Sequence, residues 1–135
     1  MSEMRMYPVN VEAEVVQSVQ RNPRAAVIPP FSFVGELEIG ISGFWYPTST
    51  FSLTKASLTA SGAGVDTAVV YLLKEEPYTG RPVPIIGFEM PATTTKMVKE
   101  LDDVVVTPYD KVFVASYSDS AHTGVVVQMV GNMMS

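Results

Sequence analysis

Residues 31–58, FSFVGELEIGISGFWYPTSTFSLTKASL, decide the reading of this chain. Apolar and polar residues take turns along it: Phe31 and Phe33, then Leu37, Ile39 and Ile41 on one expected face, then Phe51 to Leu58. A period of two belongs to strands whose faces meet different surroundings. Phe44-Trp45-Tyr46 runs into a turn at Pro47-Thr48-Ser49, and Ser61 to Gly64 reads as a hairpin turn. Such punctuation between short alternating segments points to antiparallel sheets.

The same pattern continues outward from this stretch. Val65 to Leu73 is apolar on both faces after Asp66, as expected of a central strand. Residues 75–84, with three prolines and Gly80, read as a surface loop, and 83–90 as a short strand stopped by Pro91. Residues 93–98 give a weak strand. Val104 to Val106, Thr107-Pro108-Tyr109-Asp110 and Lys111 to Ala115 read as a hairpin with Pro and Asp in its turn. A polar stretch from Ser116 to Thr123 precedes a last strand ending near Val130. About eight short strands without helices between them disfavour parallel βαβ folds. They predict an all-β, two-sheet antiparallel β-sandwich, jelly-roll-like, over residues 31–135.

Residues 1–30 read differently. Their charges cancel, Glu3, Glu12 and Glu14 against Arg5, Arg21 and Arg24, and Pro23 with Pro29-Pro30 sets them off. Val11, Val15, Val16 and Val19 recur at helical spacing, with Asn10 as N-cap. Val9, Val11, Ala13 and Val15 also alternate, so a strand stays open. The expectation is a docking arm carrying a short helix. One narrow valine stripe is not stable alone in water, so it needs the body or another subunit to cover it.

Composition removes several classes. The chain has 135 residues, with 9 Lys and Arg against 14 Asp and Glu, for a net charge of −5. Its pI near 4.7 argues against nucleic acid, which calls for clustered cations. Charged residues make up 17%, well under the usual quarter, which suggests apolar surface covered by a partner. With no cysteine, neither disulfides nor thiolate chemistry arise. No apolar run is long enough to span a membrane, and no signal peptide is expected in the first 30 residues.

Candidate chemistry is sparse. His122, the only histidine, follows Asp119 and Ser120 closely. A catalytic triad needs side chains converging from separate elements, so His122 is expected to be a solvated loop residue. Glu100, Asp102 and Asp103 read as an acidic turn, short of the oxygen count a hard cation needs. Trp45 is expected in the core. Tyr78 and Tyr109 fall in expected loops and are the candidates for ligand contact, which leaves open a carbohydrate- or receptor-binding module.

Residues 33–40, Phe44-Trp45-Tyr46, 51–58 with Gly62 and Gly64, 69–74, 106–114 and 123–128 together resemble a β-sandwich module of tailed-bacteriophage virion proteins of the minor tail, fibre or capsid-decoration type. The likeness covers residues 31–131. Tyr109 stands where the module usually has Gly, and the 75–91 stretch is richer in proline. The resemblance implies a virion structural protein, non-enzymatic and without cofactor or metal. It would assemble in the cytoplasm of a host bacterium, dock on capsid or tail subunits through its arm and sandwich edges, and form a homo-oligomer, here expected to be a trimer. A host-surface glycan is the alternative partner.

Overall fold

The computed structural model describes residues 28–134. Among them there are ten strands and no helix, and all paired strands are antiparallel. No helix among the described residues is long and apolar enough to cross a membrane. In chain order the strands are β1 (Phe31–Ser32), β2 (Glu36–Leu37), β3 (Gly40–Trp45), β4 (Phe51–Thr59), β5 (Ala68–Glu75), β6 (Pro82–Met90), β7 (Lys96–Val106), β8 (Lys111–Ser116), β9 (Ser120–Thr123) and β10 (Val126–Met133). They form a four-stranded sheet of order β1-β10-β4-β7, a second of order β3-β8-β5-β6, and a small β9-β2 pair. The arm's expected helix, with Val11, Val15, Val16 and Val19, lies outside the described residues.

One core joins the two large sheets. Phe51, Leu53, Ala56 and Leu58 of β4 meet Val70 and Leu72 of β5, Phe88 and Met90 of β6, and Val112 and Val114 of β8. Strand β4 explains how alternation reaches this result. Its buried residues are spaced two, three and two apart, because Thr54 is an extra residue against β10, where Val130 faces Lys55 but the next residue, Gly131, faces Leu53. This β-bulge restores the inward phase after a polar pair. Trp45 packs on the core, its ring 5.5 Å from that of Phe51, as expected. Strand β5 is central in its sheet, also as expected.

Edge β6 carries Pro82 and Pro84, positions that an edge strand tolerates because no ladder partner needs their missing N–H. Across the gap, the Lys99 ammonium of edge β7 donates to the Gly87 carbonyl at 2.8 Å and sits near the Phe88 ring. That contact ties the two sheets together on one side.

Several expectations need correction. The 107–110 turn has the expected chemistry: the Asp110 carboxylate accepts from the Thr107 N–H at 2.8 Å, and the Asp110 N–H donates to the Thr107 carbonyl. Yet β7 and β8 are not partners, so the turn passes the chain from one sheet to the other and closes no hairpin. The 61–64 segment likewise links β4 to β5 in the other sheet. Glu100, Asp102 and Asp103 lie inside β7, not in a turn. Residues 101–103 form an insertion opposite Thr54 that turns Leu101 inward. Leu37 also parts from Ile39 and Ile41: it is buried beside β9, while the two isoleucines are exposed.

Candidate functional site

Two side-chain constellations stand out, one around a buried histidine and one open. The first is built on β9, whose period of two turns Ser120 and His122 inward. The His122 Nε2–H donates to the Thr94 carbonyl at 3.0 Å, since a carbonyl can only accept. Its Nδ1 lies 2.7 Å from the Ser120 hydroxyl. That hydroxyl donates to the Asp66 carboxylate at 3.0 Å, and the Ala121 N–H donates to the same carboxylate oxygen at 3.1 Å. The Ala121 N–H first, and the Ser120 hydroxyl second, hold the Asp66 carboxyl below its ordinary value.

The wall over His122 requires glycine. A Cβ on Gly64 would sit 2.8 Å from Nδ1 and 2.7 Å from the backbone nitrogen of His122. Beside it, Thr93 adopts φ 67°, a region β-branched residues rarely visit, and its N–H donates to the Gly64 carbonyl. His122 is 0% exposed, so the expected solvated loop histidine is overturned. Ser, Asp and His do meet, but with the serine in the middle. A nucleophilic triad puts the histidine there and leaves the serine oxygen open to substrate. This cluster instead clamps the 64–66 loop, β9 and the 93–95 loop together. Asp66 was the member missed in the sequence. It lies 54 residues from Ser120, and no local signal links the two.

The open constellation lies on the outer face of the β3-β8-β5-β6 sheet. All residues from Val112 to Ser116 of β8 are buried. Val112 and Val114 face the core, whereas Phe113 and Ala115 join Leu73 and Tyr71 in a separate outer cluster. On edge β3 a bulge at Ser42-Gly43 places Ile41 opposite Ala115 and Phe44 opposite Phe113. Gly43 takes φ 134° there, which an L side chain resists. The bulge therefore brings two apolar residues three apart onto one face. Ile41 and Phe44 remain 55% and 53% exposed, and Tyr117 56%.

Ring contacts organise this face. Phe44 meets Phe113 edge-on at 5.7 Å, and Tyr71 meets Tyr117 edge-on at 5.2 Å. An open groove of about 470 Å³ runs from Ile39 and Tyr117 to Phe44, Pro82 and Lys111. Lys111 caps that far end, with its ammonium 4.3 Å from the Phe44 ring centroid and 3.4 Å from the Glu75 carboxylate. Beyond the near end lies a cleft of about 500 Å³ lined by Glu36, Glu38, Asp66 and Asp119. Asp119 is partly committed, accepting from the Ile39 N–H at 3.1 Å.

The loop tyrosines are elsewhere. Tyr78 is 99% exposed between β5 and β6, and Tyr109 80% exposed between β7 and β8. Both loops leave the sheet at the Glu75 and Lys111 end. Among the described residues, no three His, Cys, Asp or Glu stand close enough to hold a metal ion. Ile39 and Ile41, expected on one face with Leu37, instead stay exposed and line the apolar groove. The signal that points to it is the unbroken apolar run Val112 to Ala115. Comparison with protein-family models, with curated proteins and with solved structures finds no match for this chain.

Proposed function

We propose that this chain is a non-enzymatic structural subunit, of the tailed-phage virion accessory kind, that assembles through the outer face of the β3-β8-β5-β6 sheet. The observation that carries the reading is that face itself. Ile39, Ile41, Phe44 and Tyr117 stay exposed around a buried outer cluster of Leu73, Phe113 and Ala115. A contiguous apolar patch rimmed by charge is the mark of a protein-protein contact. Covering the exposed half of each of these side chains yields roughly 1 kcal/mol apiece.

The strand order supports a jelly-roll β-sandwich for this subunit. With the short β2 and β9 set aside, the first strand lies beside the last, and the chain passes repeatedly between the sheets. That wrapping suits two interlocked Greek keys, an architecture used in capsid and lectin domains. The clamp at His122 supports a non-enzymatic role, because its one ring sits where no substrate reaches it.

Sedimentation analysis of the wild type and of a variant carrying Ile41→Asp and Phe44→Asp tests the reading. The wild type is expected to associate as its concentration rises, and the variant to sediment as a monomer with an unchanged β-sheet spectrum. Equal association of the two overturns it.

A further inference from the structure

We propose that the occupant of the apolar groove is the N-terminal segment of a second copy of this chain, its valines along Ile41, Phe44 and Phe113 and its Arg21 and Arg24 in the acidic cleft beyond. This inference rests on the assembly reading above and names the partner of the same face. Three observations carry it.

The first is chemical fit. Residues 11–19 supply the valines Val11, Val15, Val16 and Val19, with Glu12 and Glu14 at one end and Arg21 and Arg24 just past the other. The groove has the opposite order. Lys111, paired with Glu75, stands at one end, the apolar floor follows, and Glu36, Glu38 and Asp119 line the cleft at the other. The charge order fixes a direction: the segment lies with its valines along β8 and its arginines at the Ile39 end. The described residues from 28 onward carry the whole net charge of −5, while residues 1–27 sum to zero, so the two parts do not repel.

The second is where the described chain begins. Ile28 packs against the core beside β1. From there Phe33 and Val34 line a hollow of about 240 Å³ together with Glu36, Glu38, Ile39, Gly40 and Ile41. The described chain thus reaches the hollow beside the acidic end of the groove at Phe33, five residues on from Ile28. Arg24 is four residues before Ile28 and Val19 nine, reaches of about 13 and 30 Å in extended chain.

The third concerns whose segment it is. Pro23, Pro29 and Pro30 lie within eight residues just ahead of β1. Prolines fix φ and hold a spacer extended. Pro29 and Pro30 at the root disfavour a sharp reversal of the segment onto its own body. Exchange of an identical element between copies then satisfies both grooves at once.

Full-length variants test this by complementation. An arm variant carries Val15→Asp and Val16→Asp; a face variant carries Ile41→Asp and Phe44→Asp. Each alone is expected to sediment as a monomer. An equimolar mixture is expected to recover association, because one chain keeps an intact face and the other an intact arm. Arg21→Glu with Arg24→Glu should weaken association at least tenfold, and adding Glu36→Lys with Glu38→Lys should restore it. Serine replacements at the same four apolar positions repeat the test should an aspartate variant lose its β-sheet spectrum. A mixture that stays monomeric overturns the exchange. An arm variant that associates like the wild type, beside a face variant that does not, overturns the arm as occupant and leaves the assembly reading standing. A wild type that is monomeric throughout overturns both.

Discussion

The outer faces of the two large sheets obey the same backbone rules and carry different chemistry. On the β1-β10-β4-β7 sheet, Ser57 faces Gln128 on one side and Val98 on the other, and Lys55 faces Val130 and Glu100. Lys55 and Glu100 approach to 3.8 Å in solvent. On the β3-β8-β5-β6 sheet the equivalent outward positions are Phe113, Ala115, Leu73 and Tyr71. An antiparallel sheet with one wet face alternates, whereas one covered on both faces reads as a continuous apolar run. The first sheet's outer face is mixed, with Val98 and Val130 exposed among Lys55, Ser57, Glu100 and Gln128. The second holds a buried apolar cluster with Ile41, Phe44 and Tyr117 exposed around it, the face proposed above for assembly.

The inward faces should be equivalent, which is the first way to break the contrast. Leu53→Ala on β4 and Leu72→Ala on β5 each empty a fully buried site. Each should cost about 2–5 kcal/mol in denaturant titrations, independent of protein concentration. If Leu72→Ala alone depended on concentration, core and interface would not be separate on that sheet.

A smaller effect sharpens the difference between clamp and groove. Asp66 has a folded pKa below its ordinary 3.8, held there by the Ala121 N–H and then the Ser120 hydroxyl. A depressed carboxyl contributes stability above its unfolded pKa and loses it as pH falls through the folded value. Stability of the wild type should therefore fall more steeply below pH 3.8 than that of Asp66→Asn, whose amide oxygen still accepts both hydrogen bonds. Thermal melts across that acid window measure it. Identical slopes would mean that the clamp does not depend on the charge.

The smallest effect belongs to the wet face. Lys55→Ala removes one exposed ion pair and should change stability by no more than about 0.5 kcal/mol, with no change in association. A loss of association on this variant would place the interface on the wrong sheet.

Much of the fold was legible in residues 31–133. Strands β4, β5 and β6 and the last strand sit close to where alternation and proline put them, and Trp45 packs on the core as expected. What misled was pairing. Thr107-Pro108-Tyr109-Asp110 makes a tight local turn whether the next strand returns beside the last or crosses to the facing sheet. The 101–103 insertion in β7 was invisible because its register depends on Thr54, some fifty residues away. His122 was misplaced because its burial rests on Gly64, Asp66 and Thr94, which are remote in the chain.

By itself the sequence determined which residues can turn inward together, since a strand's faces follow from covalent geometry alone. It also determined that charge is scarce and that the net charge of −5 falls wholly after residue 30. Only the tertiary structure decided which strand lies beside which and which apolar face is left uncovered. Those outcomes depend on packing between segments far apart in the chain, and periodicity, a local property, carries no record of the partner.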